Sequence, residues 1–215
     1  MSTQRIVVLG GSFNPPTIAH FRLMQAALDA LDASLGYFVP SSHGYVRRKM
    51  KRTPTPNDVL PDQLRLDMLD AMCKDDPRML VSDVEILSDK GSGHTYETLK
   101  LIAAQHPGAE VYFIFGADKL KNLPKWSAFG AVTGEFRLLI FSRDDFDPEA
   151  LFAADPRLAA RRDRFLFLPQ AEGSDDVSST AIRSILHEGG DPSPLMHPVA
   201  ARVLLSHIAR KDGNP

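Results

Sequence analysis

Between an apolar run, Arg5–Leu9, and a helical pattern about His20–Ala33 stands the segment Gly10-Gly11-Ser12-Phe13-Asn14-Pro15-Pro16-Thr17-Ile18-Ala19-His20. Glycines let a backbone approach a ligand closely, and the free N–H groups and dipole of a helix start favour negative charge. A strand, a glycine pair and a helix in that order therefore point to phosphate binding. The segment fits neither G-x-G-x-x-G nor G-x-x-x-x-G-K-[ST], so the two common nucleotide loops are set aside. A lone histidine at a helix start commonly does no more than bond its neighbours. The residues around His20 make it a candidate for chemistry.

Four other groups carry chemical potential. Ser178, Ser179 and Thr180 open a helical stretch that carries Arg183 one turn on, and hydroxyls, helix start and guanidinium point at one place. Such hydroxyls hold phosphates or cap the helix. Asp118 follows Gly116 at the carboxyl end of an apolar strand, where ligands bind in open α/β sheets; its other role is a helix N-cap. Trp126, the only tryptophan, stands beside Pro124 and Lys125 as in a loop, so its face can stack on a ring. Arg47, Arg48, Lys49, Lys51 and Arg52 place five cations in six residues. A run of this kind is a solvated face, a nucleic-acid patch or a loop closing over phosphates. A balanced net charge, with no interleaved aromatic beyond Tyr45, favours the last.

These groups need a scaffold, and the hydrophobic pattern supplies one. Short apolar runs at Arg5–Leu9, Leu35–Val39, Met79–Val84, Glu110–Phe115, Phe136–Phe141 and Arg164–Leu168 alternate with amphipathic segments at His20–Ala33, Pro61–Cys73, Thr95–Gln105, Ser179–His187 and Pro198–Ile208. The expectation is an α/β fold: a Rossmann-like open, mainly parallel sheet with helices on both faces, formed as a single domain over residues 1–215. Residues 41–61, with Pro54, Pro56, Pro61 and the basic run, are expected to be a long mobile loop. Residues 177–210 are expected to form a C-terminal helical part, and Arg143–Arg164 one or two short surface helices.

Composition excludes several classes. With 43% hydrophobic and 24% charged residues in 215, the chain is neither fibrous nor disordered. Its net charge of −2 is too balanced for a general nucleic-acid or membrane-surface binder. The single cysteine, Cys73, excludes an internal disulfide and fits a reducing compartment. No apolar run approaches the roughly 20 residues of a membrane span, and no signal peptide precedes the first strand, so a cytoplasmic protein is expected.

The first segment resembles the nucleotidyltransferase signature G-x-F-x-P-x-[HT]-x-x-H, ending at His20. Three further segments are similar to the nicotinate and nicotinamide mononucleotide adenylyltransferases. Phe115-Gly116-Ala117-Asp118, with Leu120, Leu123-Pro124 and Trp126, resembles G-A-D-x-L-x-x-L-P-x-W. Val177-Ser178-Ser179-Thr180-Ala181-Ile182-Arg183 resembles I-S-S-T-x-x-R. Val81–Glu85 and His94–Leu99 resemble V-S-D-x-E and Y-T-x-D-T-L. Thr17 and Ala19 depart from the bacterial H-x-G-H pattern and look like the nicotinamide-type signature, and His94 stands where the nicotinate type carries tyrosine.

The resemblance implies transfer of AMP from ATP to a pyridine mononucleotide, giving dinucleotide and pyrophosphate. It implies His20 donating to the α-phosphate with Thr17 adding a hydrogen bond nearby, and Gly10, Gly11, Ser12, Phe13, Asn14 and Gly116 lining the ATP site. Ser178, Ser179, Thr180 and Arg183 would hold the β- and γ-phosphates, and Asp118 a ribose hydroxyl. Trp126 and Thr95 would meet the pyridine, with Arg47, Lys49 and Arg143 for the mononucleotide; Arg143 is equally readable as a surface arginine. Mg²⁺ would arrive on the triphosphate. No nucleic acid or membrane partner is implied; enzymes of this kind often self-associate, and the sequence leaves the oligomeric state open. The rival readings are another phosphorylated acceptor on the same fold and a nucleotide-binding regulator without turnover.

Overall fold

The computed structural model describes residues 3–88, 95–142, 146–169, 177–211 and 213, apart from the side chain of Asp118. Six strands, β1 (Arg5–Gly11), β2 (Leu35–Pro40), β3 (Met79–Val81), β4 (Glu110–Gly116), β5 (Arg137–Ser142) and β6 (Phe165–Pro169), form one sheet in the order β3-β2-β1-β4-β5-β6, every pair parallel. This is the Rossmann-like fold expected from the alternation of apolar runs and amphipathic segments.

Because successive strand residues face opposite sides, each central strand feeds two cores. Val7 and Leu9 pack with Met24 and Leu28 of α1 (Ile18–Leu31), beyond α2 (His43–Met50) with Leu69 and Met72 of α3 (Asp62–Cys73). Ile6 and Val8 pack on the other face with Leu99 and Ile102, where α4 (Val84–Ser88) and α5 (Thr95–Gln105) lie. The 3-10 helix Ala117–Lys125, α6 (Phe129–Glu135), α7 (Pro148–Ala154) and α8 (Pro156–Ala159) complete that face. A third core joins α3 to α9 (Ser179–His187) and α10 (Pro198–Lys211) through Met68, Ile182, Ala200 and Leu204. No helix among the described residues is long and apolar enough to cross a membrane.

The register creates the cleft. β1 and β4 pair only from Arg5↔Glu110 to Val8↔Phe113. Beyond that, β1 runs on with β2 to Gly11↔Pro40, and β4 with β5 to Gly116↔Phe141. The sheet therefore splits at the carboxyl ends of β1 and β4, where chain order reverses and open α/β sheets bind ligands.

Three expectations are corrected. The third strand ends at Val81, and Val84 begins α4: Ser82 still donates its N–H to Phe38, but the Leu87 N–H turns back to Asp83. Residues 41–61 are not all loop. The proline-free half forms α2, with Val46 and Met50 buried four residues apart on its inner face. Residues 143–164 do contain two short helices, each led by an Asp-Pro pair whose carboxylate caps it, yet Leu151, Phe152 and Leu158 are buried in the core.

Gly36 sits where α1 crosses β2. A Cβ there would stand 2.4 Å from Met24 Sδ and 3.2 Å from Leu28 Cδ2. Gly36→Ala is expected to destabilise the fold by about 1–3 kcal/mol through overpacking, read as a lowered urea midpoint with an unchanged m-value.

Candidate active site

A cavity of about 1280 Å³ occupies the split between β1 and β4. Gly10 and Gly11 form its floor at the end of β1, Gly116 closes the end of β4, and the loop from Ser12 to Asn14 forms one wall. Phe13 holds a left-handed backbone (φ 42°), with its ring buried edge-on against Phe38 at 5.8 Å and His20 at 4.9 Å.

Thr17 and His20 form a reciprocal cap at the start of α1. The Thr17 N–H donates to His20 Nδ1 at 2.9 Å, and the Thr17 hydroxyl lies 2.7 Å from the same nitrogen. An Nδ1 that accepts a backbone N–H carries no proton in the neutral ring, so Nε2–H is the donor that His20 retains for the cavity it lines. Burial first, and then the positive charges of Lys49 and Lys119, lower the His20 pKa from 6.5 to about 4. Thr17 is 1% exposed and its hydroxyl is committed to His20. In this position Thr17 orients the histidine.

Two buried guanidiniums and a serine fix the loop. Arg65, fully buried on α3, donates to the Ser12 carbonyl (2.8 Å), the Ser41 carbonyl (2.7 Å) and Asp62 Oδ1 (2.6 Å). Arg183 donates to the Asn14 carbonyl and Thr55 Oγ1, each at 2.8 Å, and to Thr180 Oγ1 at 3.1 Å. Ser179 Oγ donates to the Pro15 carbonyl at 2.7 Å. Drawing these carbonyl oxygens into bonds removes acceptors that would repel an anion. The Asn14 side chain is likewise engaged, donating to the Asp58 carbonyl and accepting from Leu60 N–H.

Arg65 was not among the residues marked by sequence, although a signal existed. It shares a helical face with buried Leu69 and Met72, four and seven residues on, and an arginine in such a stripe needs buried acceptors. Lys119 and Lys121, also unmarked, line the cavity. Lys49, exposed like Arg47 of the same helix, lines it with Nζ 3.1 Å from Ser12 Oγ, whereas Arg47 is not part of the lining. Thr95, Trp126, Ser179, Thr180 and Arg183 line the cavity as expected. Trp126 is half-buried, edge-on to Phe115 at 5.2 Å. Ser178 does not line it; its hydroxyl accepts from Ala181 N–H and caps α9. Arg143, His94 and the side chain of Asp118 lie outside the described residues. Among the described charged residues of the lining, Lys49, Lys119, Lys121 and Arg183 outnumber the carboxylate of Glu85, a donor set that fits phosphate oxygens directly.

A family described as Cytidylyltransferase-like matches residues 8–185, a span that covers the split, the capped histidine and Arg183. The chain belongs to the cytidylyltransferase-like family. Within it, a Clostridium botulinum protein (strain Hall) named "Probable nicotinate-nucleotide adenylyltransferase" is 31% identical over 86% of this chain and 89% of its own. A Clostridium tetani protein of the same name is 29% identical over 88% and 90%. Among solved structures, the Plasmodium falciparum nicotinic acid mononucleotide adenylyltransferase complexed with NaAD superposes with a TM-score of 0.70. It covers 95% of this chain and 96% of its own at 18% identity, which is a likeness of fold. The family relation agrees with the resemblance carried by the four sequence segments.

Arg65→Met leaves two carbonyls and Asp62 without their donor, and is expected to destabilise the protein by about 3–5 kcal/mol in urea unfolding. Arg65→Lys does not restore it, because an ammonium cannot reproduce the fork. His20 titrates from 6.5 when unfolded to about 4 when folded, so on acidification through that window the unfolded chain takes up a proton that the folded ring refuses. Its contribution lowers stability as pH falls. Wild type is expected to lose more stability than His20→Gln between neutral pH and about pH 4.5; equal losses contradict the buried neutral ring.

Proposed function

We propose that this chain transfers the adenylyl group of ATP to nicotinate mononucleotide, forming the dinucleotide and pyrophosphate, with nicotinamide mononucleotide as the alternative acceptor. The observation that carries the proposal is the cleft at the β1/β4 split, cationic around the Ser12–Asn14 loop and aromatic and hydroxyl-bearing at Trp126 and Thr95. The names of the curated relatives and the NaAD bound to the Plasmodium falciparum neighbour support the same chemistry.

The reaction needs no covalent enzyme intermediate. A phosphate oxygen of the mononucleotide attacks the α-phosphorus in line, the bond from that phosphorus to the bridging oxygen breaks, and pyrophosphate leaves carrying the electron pair. Catalysis is then positioning and charge stabilisation. His20 Nε2–H donates to a non-bridging α-oxygen as its charge builds, with the ring held in place by Thr17. Thr180, Arg183 and the Ser179 backbone N–H at the start of α9 take the β- and γ-phosphates; the bonds of Arg183 to Asn14 and Thr180 leave N–H groups on Nη1 and Nη2 for them. Lys49 meets the phosphate of the mononucleotide. Mg²⁺ enters as part of the Mg·ATP substrate and offsets triphosphate charge. Asp118 accepts from a ribose hydroxyl, and Trp126 stacks on the pyridine with Thr95 beside its substituent.

Pyrophosphate release from Mg·ATP with each mononucleotide in parallel tests the proposal. Turnover with either establishes the chemistry, and the ratio of kcat/KM values assigns the acceptor. Absence of turnover with both, in protein that binds ATP, overturns it. His20→Ala is expected to lower kcat by ~10²-fold or more with little change in KM. Trp126→Ala is expected to raise the mononucleotide KM more than the ATP KM; equal effects would return Trp126 to the core.

A further inference from the structure

The 3-10 helix Ala117–Lys125 follows β4 on its side of the split, whereas the Ser12–Asn14 loop leaves β1. Leu120 and Leu123, three residues apart and so on one face of a 3-10 turn, are fully buried and fix the helix to the core. Lys119 and Lys121 flank Leu120 and line the cavity, while Lys125 lies outside the lining and donates to Asn122 Oδ1 at 3.0 Å. Position 119 is open in the G-A-D-x-L-x-x-L-P-x-W pattern, so nothing in the resemblance asks for a lysine there. Among the described residues no carboxylate forms an ion pair with Lys119. Its charge nevertheless reaches two other members of the site: Lys49 and Lys119 act on His20, and Lys119 and Arg183 act on Lys49. Three separate elements, α1, α2 and the 3-10 helix, therefore present His20, Lys49 and Lys119 to one part of the cavity.

On the adenylyl-transfer reading, on which this inference rests, the α-phosphate gathers negative charge as the new bond forms and the old one breaks, and a fixed cation there counts for more in the transition state than in the ground state. The start of α1 supplies none. His20 is neutral at physiological pH and offers only a hydrogen bond, and the Thr17 hydroxyl is turned to the ring nitrogen. We propose that Lys119 is a further catalytic residue, whose ammonium contacts a non-bridging oxygen of the α-phosphate beside His20 and supplies the positive charge that this end of the site lacks. Lys119 keeps its protons throughout. The bonds that change are both at the α-phosphorus, one forming to the mononucleotide oxygen and one breaking to pyrophosphate, which leaves with the electron pair. With Lys49 on the mononucleotide phosphate, the two lysines also hold attacker and target together against their mutual repulsion.

Two measurements on wild type, Lys119→Met, Lys119→Arg and Lys125→Met test this. The first needs no substrate: the His20 ring is titrated by NMR in the free protein. Loss of a nearby positive charge lets the ring take up a proton more easily, so the His20 pKa is expected to rise in Lys119→Met and to stay in place in Lys119→Arg and Lys125→Met. The second is steady-state adenylyl transfer from Mg·ATP to nicotinate and nicotinamide mononucleotide. Lys119→Met is expected to lower kcat by ~10²-fold with both KM values within about three-fold of wild type. Lys119→Arg is expected to recover kcat to within about ten-fold of wild type, and Lys125→Met to stay within about two-fold. A His20 pKa that does not move in Lys119→Met, a kcat within about three-fold of wild type, or a rise in both KM values with kcat intact would overturn the inference and leave the reaction class standing. Wild-type protein that turns over neither mononucleotide would overturn the adenylyl-transfer reading and the role given to Lys119 with it.

Discussion

The site depends on the withdrawal of carbonyl oxygens from one short loop. Residues 12–15 leave β1 where the sheet splits, and three of their carbonyls are held by Arg65, Arg183 and Ser179. Those donors come from α3 and α9, elements far apart in the chain that meet in the third core. Burying two guanidiniums is costly unless their donors are matched, and here three of their bonds go to backbone oxygens and three to Asp62, Thr55 and Thr180, while the Arg65 Nε finds no partner among the described residues. Burial pushes the Arg183 pKa down, although an arginine starts high enough to stay charged. The same bonds that stabilise the fold thus leave fixed positive charge, with few opposing oxygens, around the place where an anion would sit.

His20 shows how that charge acts on its neighbours. Desolvation, together with Lys49 and Lys119, keeps the ring neutral at physiological pH, and the Thr17 N–H keeps its remaining proton on Nε2. Lys49 is shifted downward in turn by burial and by Lys119 and Arg183. Such a cluster is held together in the free protein by packing against its own repulsion, and arrival of a triphosphate relieves that repulsion. Local electrostatic strain of this kind becomes binding energy for a polyanion.

What could be read from sequence was whatever has a short period or a local pattern. Five of the six strands and the helices at Thr95–Gln105 and Ser179–His187 follow from apolar spacing, and the ligand end of β1 follows from Gly10-Gly11 before a capped helix. α2 was obscured because prolines at 54, 56 and 61 coloured the whole of residues 41–61, although the half before them has none. β3 ran too long because an apolar triplet followed by Val84 cannot itself say where a strand turns into a helix. Arg65 was missed for a different reason: its role lies in bonds to carbonyls, and backbone acceptors leave no mark in a sequence.

The most direct test of the account is a crystal structure with an unreactive Mg·ATP analogue and a pyridine mononucleotide bound together. The account predicts both ligands in the β1/β4 split, phosphates against Ser12, His20, Thr180 and Arg183, and backbone shifts of residues 12–17 within about 1 Å because the loop is already formed. A loop that rebuilds on binding, with the Arg65–Ser12 and Arg183–Asn14 bonds broken, or a triphosphate seated away from the split, would contradict it.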